Sequence, residues 1–209
     1  MSEHKERLGI YGGAFSPIHY GHINASRAFL DSGLIDKLLV VPTSIPPHKD
    51  LTGEATPHQR FEMTRLGFSD CDYYQNGRLE VCDWELTQEG KSFTVYTLEH
   101  FSSPERELYF LIGSDKLFNI DKWYRIEDIL RLADIVLIRR EDDSEMYARL
   151  TEKIDLLRQR YGARIHEIYA PSVMMSSTEL REMLRNGADI SGLAPDSVIK
   201  YIEDNKLYR

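Results

Sequence analysis

Cysteine is scarce in this chain of 209 residues, which contains only Cys71 and Cys82. They form no Cys-x-x-Cys pair and are too few for a disulfide framework, so reduced, buried thiols without a catalytic task are expected. Long apolar runs are also missing. Leu38 to Val41 and Ile135 to Ile138 are far too short to span a bilayer, and the opening Met-Ser-Glu-His-Lys-Glu-Arg has no signal-peptide core. A cytoplasmic protein with no membrane partner is expected. Excess positive charge is absent as well: the formal net charge is −8 and no stretch concentrates Lys and Arg, which argues against a nucleic-acid partner or an anionic-membrane surface. Any phosphate must be gripped locally. Repeats, low-complexity segments and Gly/Ser linkers are lacking too. With 42% hydrophobic residues, residues 1–209 suit one domain, with a C-terminal helical part from about 176 packed on it.

What is present is an alternation. Strand-like apolar runs at 8–11, 38–41, 79–82, 108–112, 135–138 and 165–169 are mostly separated by helical patterns or loops. That order predicts an α/β fold, a doubly wound and largely parallel sheet, with ligands at the carboxyl ends of the strands. After the first run comes Gly-Gly-Ala-Phe-Ser-Pro-Ile-His-Tyr-Gly-His, Gly12 to His22, followed by apolar residues at helical spacing. This is a strand-to-helix turn. Gly12 and Gly13 allow unusual backbone conformations and close approach, Pro17 fixes the path, and Ser16 suits a turn or cap. His19 and His22 fall at the start of the helix, where unpaired N–H groups and the dipole attract anions. Phosphate binding is the expectation. A metal would need a third ligand, and none lies nearby in sequence.

Other strand ends add groups of the same kind. Pro42 to Lys49 is a proline-stiffened loop whose Lys49 can meet phosphate at reduced entropic cost. Pro57 opens a helix on which Arg60 and Arg65 read as a solvated face. Ser92, Thr94 and Thr97 stand at the start of another helix, as caps or, for Thr94, as a contact to a bound group. Asp115 follows Gly113-Ser114 and can accept from a ribose or cap a helix. Trp123 and Tyr124 either stack on a flat ring or wedge a helix against the core. Arg139 and Arg140 meet phosphate or join an ion network with the following acids. A stripe of Met146, Leu150, Ile154 and Leu157 reads as core. Ser176 and Glu179 have capping-box spacing, so a helix begins there. Arg181, in its first turn, is opposed by the dipole and needs either a bound anion or an acid such as Glu179, Glu182 or another.

Taken in register, these segments resemble the nicotinate mononucleotide adenylyltransferases of the His-x-Gly-His nucleotidylyltransferase superfamily. The resemblance covers nearly the whole chain: Gly-Gly-x-Phe-x-Pro-x-His-x-Gly-His at 12–22, Pro-Pro-His-Lys at 46–49, Ser-Phe-Thr-x-x-Thr-Leu at 92–98, Gly-Ser-Asp-x-Leu at 113–117, Trp123, and Ser-Ser-Thr-x-x-Arg at 176–181. It implies a Rossmann-like fold and AMP transfer from ATP to nicotinate mononucleotide in NAD biosynthesis, with Mg²⁺ accompanying the triphosphate. By the same resemblance His19, His22 and Arg181 are catalytic; Gly12, Gly13, Phe15, Lys49, Asp115, Ser176, Ser177 and Thr178 hold ATP; Thr94, Trp123 and Tyr124 line the acceptor pocket. No metal ligand among the side chains is implied, and self-association into a homo-oligomer is left open. The chain departs from the family at Ser16, usually Asp, at Ala14, commonly Thr, and after the fifth strand, where Arg139-Arg140-Glu141 replaces an Arg followed soon by Gly. Nicotinamide mononucleotide or phosphopantetheine as acceptor, or an inactive nucleotide-binding sensor on the same scaffold, are the competing readings.

Overall fold

The computed structural model describes residues 5–47, 54–139, 144–170 and 175–209. Among these the apolar runs become strands β1 (Glu6–Gly13), β2 (Lys37–Pro42), β3 (Leu79–Val81), β4 (Arg106–Gly113), β5 (Ala133–Arg139) and β6 (Ile165–Tyr169). Between and after them lie helices α1 (Tyr20–Asp31), α2 (Pro57–Phe68), α3 (Asp72–Gln75), α4 (Thr94–Phe101), α5 (Ser114–Leu117), α6 (Ile126–Leu132), α7 (Ser144–Tyr161), α8 (Ser177–Arg185) and α9 (Asp196–Asp204). The strands form one six-stranded parallel sheet in the order β3-β2-β1-β4-β5-β6. In register, Leu8 stands opposite Leu108, Phe110 opposite Ile135, and Ile135 opposite Ile165. Ile10, Phe110, Ile135 and Val136 are at most 4% exposed, as expected of strands covered on both faces. The strand order runs outward in both directions from β1 and β4, the doubly wound pattern expected from the alternation.

The chain divides into two units. Residues 5–11, 28–39, 93–139 and 144–170 make the first, whose buried residues include Phe110, Ile112 and Leu137 of the sheet and Leu150, Ile154 and Leu157 of the α7 stripe. Arg7 locks the entry to β1 by donating to Asp36 at 2.6 Å and to the Gly33 carbonyl at 2.8 Å.

Residues 12–27, 40–47, 54–92 and 175–209 make the second. Here Thr56 caps α2 in a reciprocal capping box with Gln59, and Pro57 occupies its first turn, where a missing N–H costs nothing. Ile18 lies so close to Gly67 of α2 that a Cβ there would come within 2.9 Å. Ser197 of α9 donates to the Leu66 carbonyl at 3.2 Å, and Val198 and Ile202 are buried beside it.

Two local expectations are corrected. α4 has Phe93, not a hydroxyl residue, at its N-cap, and no side chain caps it. Ser92 instead turns its Oγ to the backbone N–H groups of Ser44 and Ile45, at 3.1 and 3.3 Å, and holds the loop after β2. Cys71 and Cys82 are free; Cys71 is buried and Cys82 half-buried, where burial pushes its thiol pKa up. No helix among the described residues is long and apolar enough to cross a membrane.

Candidate active site

The turn after β1 is built differently from the way its glycines suggest. Gly12 and Gly13 end the extended strand, and the left-handed backbone conformation falls on Phe15, at φ 46°. Gly13 is required for room: a Cβ would lie 2.9 Å from the Phe15 ring, which folds back over it and is 2% exposed. Burial of that ring offsets the strain of a bulky residue with positive φ. Ser16, also 2% exposed, is no cap; its hydroxyl lies 3.0 Å from the Tyr208 hydroxyl and 3.2 Å from Glu54 Oε2.

His19 and His22 cap α1 reciprocally. The backbone N–H of Gly21 donates to His19 Nδ1 at 3.1 Å, and the N–H of His19 donates to His22 Nδ1 at 3.3 Å. This is the logic of a capping box with two imidazoles in place of hydroxyl and carboxylate. Because each Nδ1 accepts, each ring carries its proton on Nε2 and presents an N–H donor there. The rings lie 3.9 Å apart between centroids, and Phe15 braces His22 edge-on at 5.1 Å.

The C-terminal helical part wraps this turn. Leu193 accepts from Tyr20 N–H at 3.0 Å, Ser177 Oγ donates to the Pro17 carbonyl at 3.1 Å, and Arg181 Nη1 donates to the Ser16 carbonyl at 2.8 Å. α8 begins with the expected capping box: Ser176 Oγ accepts from Glu179 N–H, and the Glu179 carboxylate accepts from Ser176. Those bonds from the Ser176 hydroxyl and N–H hold the Glu179 carboxyl pKa below its ordinary value. With Glu179 so engaged, the acid that compensates Arg181 is Glu54, whose Oε1 lies 2.8 Å from Nε. Arg181 Nη2 faces the Thr178 hydroxyl at 3.4 Å.

Arg60 contradicts its reading as a solvated residue. It is 1% exposed, and its guanidinium donates to the carbonyls of Ala14, Thr43 and Ser44 at 2.6 to 2.8 Å. One side chain thus ties the turn after β1 to the loop after β2. Burial lowers its pKa while Tyr208, Glu54 and Glu85 oppose that shift. Arg65 is solvated as expected, paired with Glu62.

Tyr208 gives a testable pH effect. Burial pushes its phenol from 10.0 up to about 12. Below pH 10 both folded and unfolded chains keep that proton; between 10 and 12 only the unfolded chain releases it, so stability falls across this window by up to about 2–3 kcal/mol. Tyr208→Phe loses the hydroxyl contact, about 1 kcal/mol at neutral pH. Its deficit against wild type narrows and then reverses as denaturant titrations move from pH 9 towards 12 if the account holds.

The first unit carries the remaining candidates. Asp115 lies in α5 directly after β4, with Lys116 Nζ at 3.1 Å and a side chain 74% exposed, and Gly113 leaves room for its carboxylate, which a Cβ would meet at 2.8 Å. It is not the N-cap, a place taken by Gly113. Thr94 is the first residue of α4. Tyr124 packs on Phe93 at 4.7 Å and on Tyr96 at 6.0 Å, making a half-exposed aromatic group at the start of that helix. Trp123 is half-buried, and its ring meets Phe110 of β4 edge-on at 6.1 Å. Arg139 pairs with Glu167 of β6 at 3.0 Å and stacks on Tyr147, an ion pair with a different acid from those that follow it in sequence. Lys49 and Arg140 lie outside the described residues.

The second unit therefore gathers Gly12, Gly13, Phe15, His19, His22, Ser176, Ser177, Thr178 and Arg181 around one turn, and the first holds Thr94, Asp115, Trp123 and Tyr124. Glu54, Arg60 and Tyr208 were not anticipated. Arg60 had a signal, since positions 60, 63, 64, 67 and 68 recur at helical spacing and all are buried.

Comparison with known proteins shows what the chain is similar to. A cytidylyltransferase-like family model matches residues 10–183. A protein of Caldicellulosiruptor saccharolyticus named "Probable nicotinate-nucleotide adenylyltransferase" is 34% identical over 203 residues, covering 97% of this chain and 99% of the relative. One of Shewanella woodyi with the same name is 34% identical, with 97% and 99% covered. Among solved structures, the Plasmodium falciparum nicotinic acid mononucleotide adenylyltransferase complexed with NaAD is similar in fold, with a TM-score of 0.76, 22% identity and 97% of each chain covered.

Proposed function

The chain belongs to the cytidylyltransferase-like family and, within it, to the nicotinate-nucleotide adenylyltransferases, and from that premise we propose that it transfers AMP from ATP to nicotinate mononucleotide, giving deamido-NAD and pyrophosphate for NAD biosynthesis. A phosphate oxygen of the mononucleotide bonds to the α-phosphorus of ATP; the bond from that phosphorus to the bridging oxygen of the β-phosphate breaks, and its electron pair leaves with pyrophosphate. The nucleophile is already an anion, so no general base is required. Catalysis rests on alignment and on donors aimed at the charge that develops. The observation that carries this reading is the reciprocal imidazole cap, which turns His19 and His22 into two Nε2–H donors at a helix N-terminus.

In this mechanism His22 donates to the α-phosphate as charge builds, His19 holds the neighbouring phosphate, and Arg181 with Ser176, Ser177 and Thr178 receives the departing pyrophosphate. Gly12, Gly13 and Phe15 shape the turn, Lys49 meets a phosphate, and Asp115 accepts from the ribose. Thr94, Trp123 and Tyr124 line the acceptor pocket. Among the described residues no cluster of three His, Cys, Asp or Glu side chains could hold a metal. The imidazole, guanidinium and hydroxyl donors around the turn suit phosphate oxygens better than a hard cation. Magnesium accompanying the triphosphate would neutralise part of its charge, with these donors holding the phosphate oxygens. An ATP-consuming synthesis of this kind belongs in the cytoplasm, and we place the chain there.

The acceptor is tested by supplying ATP with nicotinate mononucleotide, nicotinamide mononucleotide or phosphopantetheine and measuring pyrophosphate. Release is fastest with the first. Faster release with either of the others, or none with the first, overturns the acceptor assignment.

A further inference from the structure

Arg181 is the fifth residue of α8, one turn in from its N-terminus, and its side chain is only 14% exposed. Its guanidinium has five N–H donors in a rigid plane, so the edge gripped by the protein decides which edge is offered to a ligand. Nε is 2.8 Å from Glu54 Oε1, an ion pair outside hydrogen-bonding geometry, and Nη1 donates to the Ser16 carbonyl at 2.8 Å. Nη2 donates one N–H to the Thr178 hydroxyl at 3.4 Å and carries a second. Glu54 is placed to fix this orientation. Its other oxygen, Oε2, accepts from Ser16 Oγ at 3.2 Å, and Oε1 also lies 3.4 Å from Arg185 Nη2. The Glu54 side chain is 13% exposed, well shielded from competing water.

We propose that Glu54 is a positioning residue for adenylyl transfer: its carboxylate holds Arg181 in place by charge, beside Nε, while the Ser16 carbonyl holds Nη1, so that Nη2 is the nitrogen turned to the leaving phosphates. The proposal rests on the adenylyl-transfer reading for its consequence and on these contacts for its geometry. Glu54 itself touches no substrate. It works through Arg181, and through Ser16 it ties that orientation to the turn that holds the histidines. An isolated guanidinium on a solvated α8 would sample many rotamers; one clamped on two sides is ordered before ATP binds.

The test is a double-mutant cycle of Glu54→Ala and Arg181→Ala, with Glu54→Gln as the conservative variant. It is read both on turnover and on the affinity for a non-hydrolysable ATP analogue, measured by calorimetry without acceptor. Glu54→Ala lowers kcat/KM for ATP and analogue affinity by about tenfold or more in the wild-type background, and by less than about twofold when Arg181 is already alanine. Glu54→Gln keeps an oxygen facing Nε and recovers part of the loss. Equal losses in both backgrounds, or no loss in the first, overturn the proposal. The calorimetric arm needs no acceptor, so a wrong acceptor would leave the cycle intact. Should Glu54→Ala fail to fold, the same comparison is made with Glu54→Gln, whose shape matches the native residue.

Discussion

Alanine at position 22 lowers kcat by on the order of a hundredfold or more, with KM for ATP and acceptor changed by no more than about threefold. The reason is geometric. His22 accepts the His19 N–H at Nδ1, so its proton is fixed on Nε2 and the donor needs no reorganisation as charge develops. Uniform binding of the ground state would appear as a raised KM instead, and that outcome would make His22 a binding residue only. Alanine also removes half of the α1 cap, which costs about 0.5–2 kcal/mol of stability. His22→Gln separates the two effects, because glutamine at the third helical position still accepts from the N-cap. It restores the melting temperature to within a few degrees and leaves turnover low. Turnover that follows stability across the pair contradicts the donor role.

Replacing Arg60 by methionine produces the largest loss of stability, about 3–5 kcal/mol, because the carbonyls of Ala14, Thr43 and Ser44 then lie buried without their charged donor. For a chain of this size that corresponds to a fall in Tm of roughly 6–20 °C. ATP affinity falls with it, since the turn that carries the histidines loses its tie to the loop after β2. Arg60→Lys recovers less than half of the loss: a single ammonium on a flexible stem cannot reproduce a planar fork that reaches carbonyls on two segments. A Tm within about 2 °C of wild type for Arg60→Met would mean that water satisfies those carbonyls and that the ties are incidental. Differential scanning calorimetry of the three proteins decides.

The fold was largely legible in the sequence because the inner strands are short apolar runs covered on both faces, the edge strands β3 and β6 still carry buried Leu79, Ile165 and Ile168, and every interval between runs has room for a helix or loop. The reciprocal cap at Ser176 and Glu179 was legible too, since both partners lie within one turn. The turn's backbone was not. Adjacent glycines suggest unusual φ values, but the positive φ belongs to Phe15, and only the packing of its ring over Gly13 explains why. Ser92 was misplaced for a similar reason: local capping propensity lost to two backbone N–H groups brought to it by tertiary structure.

The least legible residues are those whose partners are far along the chain. Glu54 meets Ser16 and Arg181, and Tyr208 meets Ser16, over separations no periodic pattern reveals. For Arg181 the sequence suggested a cation in the first turn of its helix, whereas it is the fifth residue of α8, and its partner was left open. That partner is Glu54, from a segment with no periodic signal of its own. Asp115, Thr94, Tyr124 and Trp123 were singled out for their places at strand and helix ends, and of these Trp123 packs edge-on against Phe110 of β4.

The central claim is attack by the mononucleotide phosphate on the α-phosphorus of ATP. It is tested most directly with nicotinate mononucleotide labelled with oxygen-18 in its phosphate, incubated with ATP and the enzyme, and analysed by mass spectrometry and phosphorus NMR. The expected product is a dinucleotide that retains the label, with a bridging oxygen from the mononucleotide, and one unlabelled pyrophosphate per turnover. Formation of ADP or orthophosphate in place of pyrophosphate, or label in the leaving group, would contradict it.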